Sequence, residues 1–117
     1  METTSIRIEG HEVMNSFTLD ANGSGILEEI TMEGTVAGSR TLKAAVIKGD
    51  DIDLSYEYTV SVETSDPSGV EESHLESKKV LINNLAVFSM NCFDTSTTFK
   101  FSLTGPAEKT GVFVLYY

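Results

Sequence analysis

Two stretches of the 117-residue chain alternate apolar and polar side chains with a period of two. From Ser55 to Glu63, Tyr56, Tyr58, Val60 and Val62 alternate with Ser55, Glu57, Thr59, Ser61 and Glu63. From Thr97 to Leu103, Phe99, Phe101 and Leu103 alternate with Thr98, Lys100 and Ser102. A strand sends successive side chains to opposite faces, so each stretch reads as a half-buried strand with one wet face. Weaker alternation at Ser5 to Ile8, Val13 to Leu19, Ile26 to Val36 and Thr41 to Ile47 extends the pattern. The many threonines inside these segments suit a pleated surface.

Turn signals separate the segments: Glu9-Gly10, Asn22-Gly23-Ser24-Gly25, Ala37-Gly38-Ser39, Gly49-Asp50-Asp51, the run from Asp66 to Gly69, and Gly105-Pro106. About eight strands at this spacing, with no helical period, predict a single all-β domain over residues 1–117, an antiparallel β-sandwich. A lone Cys92 and the absence of tryptophan remove the Cys, Trp, Cys signature of an immunoglobulin domain, so a jelly roll is the favoured type. Lys78 to Cys92 fits one bent strand, a hairpin turning at Asn83-Asn84, or a strand followed by a helical stretch. Asp66 to Ser77 lacks alternation and reads as a polar loop, with room for one helical turn at Val70 to Leu75.

Charge narrows the function. The formal charge is −10, and the basic pair Lys78-Lys79 follows Glu71, Glu72 and Glu76 closely. Phosphate backbones and anionic lipid surfaces would be repelled, so neither nucleic acid nor a membrane is an expected partner. The N-terminal METTSIRIEG has no basic and apolar halves of a signal peptide, and no apolar run is long enough to span a bilayer. With one cysteine there is no intrachain disulfide. These features predict a cytoplasmic or virion protein.

The stretch LDANGSGILE invites comparison with a calcium loop. Counted from Asp20, an EF-hand wants ligands at positions one, three, five, nine and twelve and glycine at six. Asp20, Asn22, Ser24, Gly25 and Glu28 match, but position twelve is Thr31 where a bidentate glutamate belongs. The flanks alternate as strands where an EF-hand needs helices. A glycine-rich turn explains the same letters without a metal, so no cofactor is expected. The alternative is a calcium-binding β-loop: if Ser5 to Ile8 is the first strand, the second, fourth and sixth connections meet at one end. They would gather Asp20, Asn22 and Ser24 with Asp50, Asp51 and Asp53, and with Asp94.

Other chemistry is thinly supported. His11 and His74 have no close ligand spacing, no nucleophile elbow occurs, and the phosphate-cradling glycine motifs are absent. Adjacent carboxylates such as Glu28-Glu29 would point to opposite strand faces. The chain is therefore expected not to be an enzyme. A sugar-binding module needs exposed aromatic faces, and only Tyr116 and Tyr117 offer themselves.

The C-terminal GVFVLYY is apolar on both faces, whereas a sandwich covers one face of each strand. Phe113, Val114, Leu115, Tyr116 and Tyr117 are accordingly expected to form an interface, covered by a symmetry-related subunit or a partner protein, with cover from within the chain by the polar loop at 66 to 77 as the alternative. The function these features favour is a non-catalytic structural or protein-interaction β-sandwich, a homo-oligomer or part of a larger assembly such as a virion. A calcium-dependent carbohydrate- or surface-binding module is the alternative.

Overall fold

The computed structural model describes residues 12–49, 57–69 and 72–117. Eight strands follow one another: β1 (Glu12–Thr18), β2 (Ser24–Thr35), β3 (Gly38–Gly49), β4 (Glu57–Ser65), β5 (His74–Leu81), β6 (Leu85–Cys92), β7 (Thr95–Thr104) and β8 (Thr110–Tyr116). They form two four-stranded antiparallel sheets, β1-β8-β3-β6 (sheet A) and β2-β7-β4-β5 (sheet B). The pairs are nested: first with eighth, second with seventh, third with sixth, fourth with fifth. The nesting is that of one long hairpin folded so that its two arms alternate between the sheets of the sandwich.

The alternation read in the sequence sets the packing. Tyr58, Val60 and Val62 of β4 and Phe99, Phe101 and Leu103 of β7 face Leu42, Ala44 and Val46 of β3, Phe88 and Met90 of β6, and Phe113 and Leu115 of β8 across one core. Each of these side chains is buried, and their outward neighbours on sheet B are Ser, Thr, Glu and Lys. Removing this apolar surface from water is what holds the sheets face to face.

Two segments settle differently from a simple reading of their letters. The chain turns at Asn83-Asn84, with Asn83 at a φ of 72° and the Asn84 N–H donating to the Leu81 carbonyl at 3.0 Å. The strands on either side do not pair as a hairpin. β5 lies in sheet B and β6 in sheet A, so the turn carries the chain from one sheet to the other. The expected polar loop ends earlier than its composition suggests, because His74 to Ser77 belong to β5. β5 is an edge strand exposed on both faces for most of its length, which erases the alternation that would have marked it. The expected strand at Ser5 to Ile8 lies outside the described residues.

Splitting Lys78 to Cys92 into two strands adds a connection and changes which loops share an end. Asp20 lies in the β1–β2 connection, at the end where β3 finishes, and the β5–β6 and β7–β8 connections join it there. Asp94 lies in the β6–β7 connection, at the opposite end, and is removed from the proposed acidic cluster.

Candidate functional site

The LDANGSGILE stretch folds as a turn docked on the β7–β8 connection. Asp20 Oδ1 accepts the backbone N–H groups of Asn22 at 2.8 Å and Ser24 at 2.9 Å. The Asp20 carbonyl accepts those of Gly23 at 2.9 Å and Glu108 at 3.1 Å. Hydrogen bonds from Ser24 and then Asn22 hold the Asp20 carboxyl below its ordinary pKa, against a small opposing effect of desolvation. Gly23 sits at a φ of +76°, and its carbonyl accepts the Gly105 N–H at 2.8 Å. A Cβ at Gly23 would overlap the Gly105 carbonyl oxygen. The glycine is therefore there for a left-handed turn and a close backbone approach between two connections.

Of the expected calcium ligands, Asp20, Asn22 and Ser24 come together in this turn, and Asp50, Asp51 and Asp53 lie outside the described residues. One Asp20 oxygen is already spent on the turn's own backbone. Among the described residues no group of three or more His, Cys, Asp or Glu side chains is placed to hold a metal ion. His74 is exposed at the start of β5, and His11 lies outside the described residues. No helix among the described residues is long and apolar enough to cross a membrane.

The middle of the terminal strand is covered on both faces within the single chain, while Val112 and Tyr116 on its outward side are half-buried. β8 runs between β1 and β3 in the middle of sheet A, which puts Phe113 and Leu115 in the core. Val114 points the other way and is still only 1% exposed. The expected interface at Phe113, Val114 and Leu115 is thus corrected: these side chains are buried in one copy and offer no surface to another. Tyr116 and Tyr117 are half-buried, and Tyr117 packs against the core, so neither ring stands free as a sugar platform. Burial, and then the nearby charge of Glu28, push the Tyr117 hydroxyl above its ordinary pKa. Glu28 in turn accepts a 3.1 Å hydrogen bond from Asn15 Nδ2 across the β1–β2 side of the sandwich.

The surface that the sequence did not reveal is the outer face of sheet A. The registers place Met14 of β1 opposite Val114, Val114 opposite Ala45 of β3, and Ala45 opposite Leu85 of β6. All four point away from the core, and together they make an apolar row across the whole sheet. The middle is buried, with Ala45 6% exposed, while the ends are open: Met14 is 39% and Leu85 50% exposed. Val87, two residues along β6 from Leu85, adds a second open apolar side chain at 47%. The only signal in the sequence is LAVFSMNC itself, eight residues of β6 without a charge.

No protein-family model matches the chain, and no curated protein matches it. Among solved structures, the crystal structure of Yersinia pseudotuberculosis-derived mitogen is similar, with a TM-score of 0.53 over 92% of this chain and 85% of that one. At 11% identity the likeness is one of fold. It supports the two-sheet β-sandwich.

Proposed function

We propose that this protein is a non-catalytic β-sandwich that works through protein contacts, and that the outer face of sheet A is the surface it uses. The observation that carries this reading is the pair of open apolar side chains Leu85 and Val87 on β6, with Met14 open at the far end of the cross-strand row whose middle members Val114 and Ala45 are already buried. Exposed apolar side chains that line up across a sheet mark a contact surface, whereas single ones scattered over a protein do not. A negative chain of this kind would avoid nucleic acid and anionic membranes. A place in a larger assembly, such as a virion shell or tail, fits the same reading and rests on fold-level analogy alone.

A photo-crosslinking residue placed at Met14 or Leu85, and at Glu63 on the outer face of sheet B as a control, tests it in the cells that make the protein. Adducts with a protein, whether a second copy or another chain, are expected from the sheet A positions and not from position 63. Equal yields from all three positions, or none from any, would overturn the assignment.

A further inference from the structure

Asn22 is exposed, and the residue after it is Gly23, the neighbour that least hinders attack on an asparagine side chain because glycine has no Cβ. In such a pair the backbone nitrogen of the glycine can bond to Cγ of the asparagine. The Cγ–Nδ2 bond breaks, and ammonia leaves with the proton of the attacking nitrogen. Water then opens the five-membered imide at one of its two carbonyls. One opening leaves an ordinary aspartate at position 22. The other leaves an isoaspartate, whose backbone runs through Cβ and Cγ and is longer by one methylene. The sequence consumes water, releases ammonia and needs no oxidant or reductant.

The folded turn opposes this chemistry at the reacting atoms. The Gly23 N–H donates to the Asp20 carbonyl at 2.9 Å, so the attacking nitrogen is tied down. Asp20 Oδ1 accepts the N–H groups of Asn22 at 2.8 Å and Ser24 at 2.9 Å, which fixes the backbone on both sides of the Asn22–Gly23 bond. The Gly23 carbonyl is held by the Gly105 N–H at 2.8 Å, and Gly23 itself is buried.

We propose that Asn22 is a deamidation site which the Asp20 turn holds shut, and that its conversion to isoaspartate undocks the β1–β2 turn from the β7–β8 connection. Closing the imide requires the Gly23 nitrogen to leave the Asp20 carbonyl, so the reaction proceeds from molecules in which the turn has opened locally. The consequence follows from how closely the two connections fit. A Cβ at Gly23 would overlap the Gly105 carbonyl oxygen, and a Cβ at Gly105 would overlap the Tyr58 ring and press on Leu19. An extra backbone methylene at position 22 has no room in that contact. Undocking uncovers Tyr58 and Leu19, two buried members of the core, so the converted protein is less stable. Nothing in this chemistry depends on the contact surface of sheet A.

Peptide mass spectrometry of the full chain during incubation at mildly alkaline pH, folded and in urea, measures conversion at Asn22. Urea should speed it by at least about tenfold, because opening of the turn no longer limits the reaction. Asp20→Ala removes both side-chain bonds and should convert faster than the wild type while folded, whereas Asp20→Asn keeps an acceptor oxygen and should stay close to the wild-type rate. Asn83, also exposed but followed by a residue with a side chain, should convert more slowly than Asn22 in urea. The isoaspartate form, separated by chromatography, should unfold at a lower midpoint than the wild type. Asn22→Asp adds the same charge without the methylene and should not. Equal rates folded and in urea, or no conversion in urea, would overturn the site. Folded Asp20→Ala converting no faster than the wild type would remove Asp20 as the lock, and if that variant does not fold, the wild-type comparison still decides. An isoaspartate form as stable as the wild type would overturn the undocking.

Discussion

The inner faces of the two sheets are alike, and their outer faces are not. Inward, both sheets offer Phe, Leu, Val and Tyr at strand spacing. Outward, sheet B carries Ser61 and Ser77 within hydrogen-bonding distance at 2.7 Å and Thr31 and Thr98 at 2.9 Å. Charged Glu29, Lys100 and Glu63 stand in one cross-strand row beside them. Sheet A carries Met14, Val114, Ala45 and Leu85 in a comparable row. A face covered with hydroxyls and paired charges is satisfied by water, while an apolar row lowers its free energy only when something covers it. The two outer faces thus differ along their central strands, although sheet B also carries exposed Leu75 and Leu81 on its β5 edge.

The contrast is sharpest at matched central positions. Val114→Glu puts a carboxylate where the single chain leaves almost no exposure, and it should cost about 3 to 5 kcal/mol, the penalty of an unpaired buried charge. Ser61→Glu, central on sheet B, loses one hydroxyl contact and should stay within about 1 kcal/mol of wild type. Urea unfolding of both variants measures the difference. Similar losses from the two would mean that the faces do not differ.

A smaller effect tests how sheet B treats the polar groups it buries. The Thr97 hydroxyl accepts the Phe93 N–H at 2.8 Å and lies 3.0 Å from Thr35 Oγ1, which donates to the Phe93 carbonyl at 2.6 Å. Those bonds close the β6–β7 turn, where Thr95 holds a φ of 83°. Thr97→Val leaves a buried N–H unpaired and should cost about 1 to 3 kcal/mol. Thr64 is just as buried on the neighbouring strand, but its hydroxyl has no partner among the described residues. Thr64→Val should therefore be neutral or slightly stabilising in the same assay. If Thr64→Val costs as much as Thr97→Val, its hydroxyl is satisfied after all.

The edges give a third test, this time of association. Lys78 sits with Nζ 5.9 Å from the centre of the Phe88 ring, a contact worth about 0.5 to 1 kcal/mol at an exposed site. Replacing Glu76 and Lys78 together with threonine would leave the inward side of the β5 edge without a charge. Stability should fall by no more than about 1 kcal/mol, while the mass in solution rises above that of wild type. An unchanged mass would mean that inward charges are not what keeps sheet B apart from its neighbours.

How much of this was legible in the sequence depended on whether a feature is local. β4 and β7 announce themselves because each has one wet and one dry face, and period two records that directly. β5 is hidden because an edge strand with both sides in water has no pattern to show. GVFVLYY implied cover on both faces, and of its outward side chains Val114 is buried within the chain while Val112 and Tyr116 are half-buried. Where the cover lies depends on which strands flank β8, and pairing of residues 14, 45, 85 and 114 is a matter of register between distant segments. The sheet A row is invisible for the same reason: its members stand alone in the chain and meet only in the sheet. The turn from Asp20 to Ser24 was legible for the opposite reason, because Asn22-Gly23 encodes its own backbone geometry.

That turn gives the smallest effect. The folded-state pKa of Asp20 lies below its unfolded value because two backbone N–H groups favour the ionised form. Its contribution to stability is therefore present above the unfolded pKa and is lost as pH falls through the folded one. Asp20→Asn keeps the acceptor oxygen and removes the titration, so between about pH 5 and about pH 2 the wild type should lose slightly more stability than the variant. The comparison cancels the other carboxylates, which titrate in both proteins. Millimolar calcium at neutral pH separates the turn from a metal loop, because a bound ion would raise the wild-type unfolding midpoint by mass action. With Asp20 Oδ1 already bonded to the backbone of Asn22 and Ser24, the expected result is no rise. A chelator-reversible rise that Asp20→Asn abolishes would instead make this end of the sandwich a binding site, a second candidate beside the outer face of sheet A.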